Sequence, residues 1–172
     1  MAISQGLLRF FSRNYRPGIY KRSSDSLVLS SEQKSTAFLC HSHHDVELVK
    51  GLLVYFEELN VKLYIDWLDE DMPEVPNRVT AEKIQKKIKE AELFFFLATE
   101  NSRASRWCPW EMGYADGIRK SIYIIPTKDE EKTIGNEYLQ LYSHLDVTNT
   151  TGRYNSPRLA QFDTKGQWIG YF

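Results

Sequence analysis

A chain of 172 residues, 42% hydrophobic and 13% aromatic, has the apolar surface for one domain with a full-sized core, which excludes a disordered chain. Lys and Arg number 22 against 23 Asp and Glu, a net charge of -1, so no bulk positive field points to nucleic acid. No apolar run approaches the ~20 residues that cross a bilayer, and the two cysteines, Cys40 and Cys108, build no disulfide framework and fit a reducing cytoplasm.

Residues 1–35 hold six basic side chains against Asp25 and Glu32. They divide into an apolar-basic start, with Leu7, Leu8, Phe10 and Phe11 among arginines, and a Ser-rich stretch. Such a composition resembles an organellar presequence, but its apolar core is too short for a secretory signal. The segment reads as an extension that packs on the domain or serves self-association. From Thr36 the pattern turns regular. Ala37–Cys40 is a short buried strand, and residues 45–59 place apolar side chains at 46, 48, 49, 52, 53 and 56, the spacing of a helix. Val61 to Trp67 alternates and predicts a second strand. Residues 68–79 are acidic and contain Pro73 and Pro76, a loop. Thr80 then caps a helix running through Ala91, with Ile84 and Ile88 four apart.

Leu93 to Thr99 is the most apolar run, and its length fits a central strand buried on both faces, as in a parallel sheet. A polar loop follows over 100–105, then a helix from Trp107 to about Arg119 and a strand from Ser121 to Pro126. Residues 127–137 read as a charged loop, 138–142 as a short helical piece, and Leu145–Val147 as a last strand. Strand and helix alternate throughout. That predicts an α/β fold, a flavodoxin-like three-layer sandwich whose central five-stranded parallel sheet has the order 2-1-3-4-5. The domain spans 36–148, between a basic, Ser-rich extension at 1–35 and a C-terminal extension at 149–172. The latter ends in Trp168, Ile169, Tyr171 and Phe172, an aromatic tail expected to pack on the domain.

In such a sheet, ligands bind beyond the carboxyl ends of the strands where strand order reverses. Two segments are expected to converge there: His41 to Asp45 after the first strand and Thr99 to Arg106 after the third. The helix carrying Trp107 and Glu111 starts at the same mouth. These two side chains are four apart on one helix face, in line with Ala115 and Ile118. A buried carboxylate is costly unless paired, hydrogen-bonded or protonated, so Glu111 is the candidate pocket acid, meeting a developing positive charge or sugar hydroxyls. The plainer reading pairs it with Arg103, Arg106 or Lys120 to hold a loop. His41, His43 and His44 lack companion metal ligands other than Asp45, so capping and hydrogen bonding are expected and no metal. Neither Ser42 nor Ser105 has a nucleophile-elbow context, Cys108 reads as packing beside Trp107, and no glycine-rich phosphate loop is present.

These pieces together resemble a Toll/interleukin-1 receptor (TIR) domain of the bacterial kind. Phe38-Leu39-Cys40-His41-Ser42-His43-His44-Asp45 matches the family's opening box, Tyr64-Ile65-Asp66 and the acidic loop match its second strand and BB loop, and Ser105-x-Trp107-x-x-x-Glu111 matches its Trp-x-x-x-Glu. The resemblance covers about residues 36 to 148, with Pro109 as a departure that a helix tolerates only in its first turn. It implies cleavage of NAD+ at the nicotinamide–ribose bond, with NAD+ as substrate and no cofactor. The bond breaks through an oxocarbenium-like state, as in glycoside hydrolysis, and nicotinamide leaves neutral. Glu111 is then the catalytic carboxylate beneath the ribose. Trp107 shapes the pocket wall, and Phe38, His41 and Ser42 contact the nucleotide. Asp66, Trp67 and the following loop close over the nicotinamide or contact a neighbouring subunit.

Family members often act as homo-oligomers. The bacterial ones are similar to sensor enzymes of anti-phage systems such as Thoeris, which make a cyclic or conjugated ADP-ribose signal when activated by a phage component. The resemblance thus implies a cytoplasmic enzyme that engages neither nucleic acid nor membrane. Two other readings stay open. A nucleoside deoxyribosyltransferase-like enzyme also places a glutamate before a segment like Gly113-Tyr114-Ala115, although the Gly-rich start of its first strand is absent. A TIR module used only as a scaffold is the other, against which the presence of Glu111 speaks.

Overall fold

A strand apolar on both faces is stable only between two helical layers, and Leu93-Phe94-Phe95-Phe96-Leu97-Ala98 is such a strand. The computed structural model describes residues 2–18, 35–57, 61–69, 77–148 and 158–171. In chain order these form β1 (Ile3–Ser4), α1 (Gln5–Ser12), β2 (Ser35–Cys40), α2 (Val46–Glu57), β3 (Val61–Tyr64), α3 (Arg78–Glu90) and β4 (Leu93–Ala98). Then come α4 (Glu100–Ala104), α5 (Trp107–Gly117), β5 (Ser121–Asp129), β6 (Lys132–Ile134), β7 (Ser143–Thr148), β8 (Arg158–Phe162) and β9 (Trp168–Tyr171). β4 lies inside the sheet, parallel to β2 on one side and β5 on the other, with Phe94 to Ala98 almost wholly buried.

The parallel strands follow the order β3-β2-β4-β5-β7, the 2-1-3-4-5 arrangement expected. The sheet is wider than five strands, however. β8 pairs antiparallel with β7 and β9 with β8, while β1 and β6 both pair with β5. β5 is nine residues long against six for β4, so its last residues overhang, and β1 and β6 pair with the backbone groups there. Side chains alternate between two cores. Ala37, Leu39, Phe95, Leu97 and Ile125 face α1 and α2. Phe38, Cys40, Phe94, Phe96 and Ile124 face Ile84 and Ile88 of α3 and Cys108, Met112 and Ala115 of α5.

Several boundaries differ from the sequence reading for local reasons. Helix α3 is capped by Asn77, whose side chain accepts from the Val79 and Thr80 N–H groups, while Thr80 returns a bond to Asn77 N–H. Thr80 is therefore the third residue of the helix rather than its cap. β3 stops at Tyr64 because the Asp66 carboxylate accepts from the Trp67 N–H at 2.8 Å and starts a 3-10 turn. Residues 100–105, expected as loop, contain α4, nucleated by a Thr99–Ser102 capping box. The expected charged loop at 127–137 is mostly sheet, because buried Thr127 and Ile134 face each other across β5 and β6 with the charges outside. The helical piece expected at 138–142 is a 3-10 turn at Asn136–Tyr138. Most of the acidic loop (70–76) lies outside the described residues.

The N-terminal helix packs closely. Gly51 of α2 meets α1 where an added Cβ would stand 2.0 Å from the Leu8 carbonyl oxygen. Gln5 donates to Thr127 Oγ1 at 3.1 Å, and that hydroxyl donates to the Ala98 carbonyl, tying α1 to the carboxyl ends of β4 and β5. In the C-terminal hairpin the main chain pairs, yet Trp168, Ile169 and Tyr171 stay exposed. The obstacle at Gly51 is backbone, so Gly51→Ala is expected to separate the helices despite alanine's better helix propensity. The net loss is about 2 kcal/mol, a melting temperature lower by roughly 4–8 °C, with faster amide exchange in α1. An unchanged melt refutes the tight contact.

Candidate active site

Helix α5 begins at Trp107, so Pro109 is its third residue, where no intrahelical N–H bond is forfeited. Cys108, Met112 and Ala115 seat the helix against the sheet, and Glu111 lies on the flank of that buried arc. Only 5% of Glu111 is exposed, and its Oε2 has no hydrogen-bond partner among the described residues. Ile118, expected in line with it, is an exposed C-cap. Burial pushes the Glu111 carboxyl well above the usual carboxylate range. A hydrogen bond with the Cys40 thiol opposes that rise, and the negative potential of Cys108 and Asp66 adds to it.

Two of the three cations expected to neutralise this carboxyl are engaged elsewhere. Arg103 lies 3.9 Å from Glu100, and Lys120 donates to the Lys89 and Ala91 carbonyls. Arg106 is exposed, and none of the three forms an ion pair with Glu111 among the described residues. The ion-paired reading of Glu111 therefore finds no partner here. Cys40, which the sequence reading treated only as a sign of a reducing compartment, is part of the site. Its thiol donates to the Cys108 carbonyl at 3.6 Å and joins the end of β2 to α5. The alternation along β2 was the available signal, since Cys40 shares a face with Phe38.

Asp66, whose potential reaches Glu111, is flanked by His41 and His43. His41 Nδ1 donates to the Leu39 carbonyl at 3.0 Å, and its buried Nε2 has no hydrogen-bond partner among the described residues, with Asp66 Oδ1 3.5 Å away. His43, largely exposed, bonds the other oxygen of Asp66 at 2.9 Å. Burial alone would raise the Asp66 carboxyl. The His43 bond, the potential of His41 and His43, and the Trp67 N–H overcome that and hold it below the usual range. The same bond raises His43. Ser42 caps the 3-10 turn by accepting the His44 N–H, and Phe38 is stacked in the core between Tyr64 and Phe94. Trp107 is half-buried, edge-on to Trp110, whereas Trp67 packs into the core on the opposite side of the sheet.

The two segments expected to converge at the strand-order reversal do so. Asp45, 4% exposed, accepts from Thr99 Oγ1 at 2.5 Å and from Asn101 Nδ2 at 2.7 Å. A cleft of about 450 Å³ lies there, lined by His44, Asp45, Thr99 and Asn101 with Gln5 and Arg9 of α1. Neither Glu111 nor Trp107 lines it, contrary to the expectation of one mouth. The short helix α4 intervenes before α5 begins, and Glu111 belongs instead with Cys40 and Asp66. No group of three metal-ligating side chains occurs among the described residues; His44 turns to the cleft while His41 and His43 turn to Asp66.

Comparison with known proteins places this geometry. A family model described as the TIR domain matches residues 37–162. The chain is 35% identical over 114 residues to a probable 3′ cyclic ADP-D-ribose synthase, ThsB′, of Bacillus cereus (strain MSX-D12), covering 63% of this chain and 58% of the relative. It is 29% identical over 96 residues to a putative cyclic ADP-D-ribose synthase, TIR2, of Cytobacillus dafuensis, covering 54% of this chain and 25% of that protein. The chain thus spans less than two thirds of either relative.

An acid whose folded pKa exceeds its unfolded value of about 4.3 loses stability as pH rises from that value through the folded one. Glu111→Gln removes this loss. Its melting temperature is expected to exceed the parent's by about 3–8 °C at pH 7, from relief of on the order of 1–3 kcal/mol, with the gap closing toward pH 4. A gap that does not vary with pH refutes the raised pKa.

Proposed function

The chain belongs to the TIR domain family, and from that membership we propose that it cleaves the nicotinamide–ribose bond of NAD+ and releases ADP-ribose or a cyclic or conjugated form of it. The observation that carries this reading is Glu111, buried, with one oxygen unpaired and no cation beside it among the described residues. The cationic nicotinamide ring of NAD+ supplies the charge that the protein omits. As the bond breaks, positive charge moves from the nicotinamide ring to the ribose, and the carboxylate beneath it stabilises that developing oxocarbenium ion. Nicotinamide leaves neutral with the bonding pair. Both relatives carry names of cyclic ADP-D-ribose synthases, which supports a cyclising outcome.

In this reading Trp107 forms the wall beside Glu111, and His41 and Ser42 at the end of β2 form the nucleotide side, with Phe38 backing them from the core. Asp66 closes the nicotinamide end, and Trp67, turned to the other face, suits contact with a neighbouring subunit. The enzyme works as a homo-oligomer in cytoplasmic bacterial anti-phage defence of the Thoeris type, switched on by a phage-derived activator. Nucleic acid and membrane play no part; none of the described helices is long and apolar enough to cross a bilayer.

Incubation with NAD+ is expected to release nicotinamide, and Glu111→Gln to lower the rate by at least about 10³-fold. A Gln variant as fast as the parent refutes the mechanism. The active form is the carboxylate, so kcat/KM is expected to rise with pH through the elevated Glu111 pKa. The kcat profile turns at lower pH, because the bound cation favours ionisation. Coincident profiles, or rates that fall with rising pH in this range, contradict the assignment.

A further inference from the structure

We infer that His41 is a second catalytic residue of this site, its Nε2 taking the proton from the hydroxyl that attacks the ribosyl cation. This rests on the NAD+-cleaving reading above and assigns the proton that Glu111 leaves unaccounted for.

The Leu39 carbonyl only accepts, so His41 Nδ1 carries a hydrogen in their 3.0 Å bond, and in the neutral ring Nε2 carries the lone pair. That lone pair is buried, with His41 only 6% exposed, and no described residue donates to it. Its nearest charged neighbour is Asp66 Oδ1 at 3.5 Å, also an acceptor. Two buried acceptors 3.5 Å apart call for a donor, and a sugar hydroxyl or a water is one. Asp66 is held ionised by His43 and by the Trp67 N–H, so it steadies the imidazolium that forms when Nε2 takes a proton. The role is the orienting and charge-stabilising one that a carboxylate plays for histidine in acyl transfer. Cys40, the residue before His41, bonds the Cys108 carbonyl at the start of the helix that carries Glu111, so His41 and Glu111 flank the carboxyl end of β2, and Asp66 contributes to the potential at Glu111.

The step balances. The bond between ribose C1 and the nicotinamide nitrogen breaks with its electron pair on nicotinamide. The oxygen of a ribose hydroxyl or of water forms the new bond to C1, and its proton passes to His41 Nε2 and then to solvent. One NAD+ gives neutral nicotinamide, cyclic ADP-ribose and one proton, or, with one water consumed, nicotinamide, linear ADP-ribose and one proton.

A pyridine base attacking the same cation has no proton to lose, and this separates the two roles. The full chain is incubated with NAD+ alone, or with NAD+ and 3-acetylpyridine, and products are resolved by mass spectrometry. With both activities read as kcat at saturating NAD+, so that any loss of nucleotide contact falls in KM, His41→Gln, similar in size, is expected to form cyclic plus linear ADP-ribose about 10²-fold more slowly, while kcat for base exchange falls no more than about threefold. Equal loss of both activities makes His41 structural and overturns the proposal, as does retention of both. Failure of the underlying reading shows differently: the parent itself then yields neither nicotinamide nor exchanged dinucleotide, or Glu111→Gln still forms both.

Discussion

A carboxyl group buried beside a thiol and within the potential of a second carboxylate, with no ion-paired cation among the described residues, is the constraint around which this molecule is organised. Glu111 is placed there by ordinary forces. The small or apolar side chains of Cys108, Met112 and Ala115 set the depth of α5, and the helix period then carries Glu111 to the flank of the buried arc. Cys40, directed to the same core by the alternation of β2, meets it from below. An arrangement that destabilises the folded state in the absence of substrate is what a site for a cationic ligand requires, since binding energy grows when the ligand brings the missing charge.

The sheet explains why Glu111 lies apart from the cleft. At the strand-order reversal, β2 feeds α2 on one face and β4 feeds α5 on the other, so the space between their carboxyl ends opens toward both. Asp45 bridges that space by accepting from Thr99 and Asn101. The histidines divide accordingly, His44 to the cleft, His41 and His43 to Asp66. One five-residue segment thereby serves both as the tie across the sheet and as the flank of Asp66.

The ends of the chain act on the same frame. β1 and α1 brace the overhanging end of β5 and lie on α2 through the notch at Gly51, while β8 and β9 prolong the sheet beyond β7. The tail thus contributes pairing rather than core, and its aromatic side chains remain at the surface.

Much of this was legible in the residues themselves. The run of phenylalanines in β4 can be satisfied only at the centre of a two-sided sheet, and the 3.6-residue spacing in α2, α3 and α5 marks which faces are inward. Together they dictate the layers and the burial of Glu111, because each depends on periodicity within one segment. The tertiary structure alone decided that Arg103 and Lys120 bind other partners, that Cys40 and Asp66 adjoin Glu111, that His41 keeps a bare nitrogen, and that β1 and β6 share β5. Those outcomes depend on which distant segments meet, and a hydrogen-bonding side chain leaves no trace in the local pattern of the partner it will find.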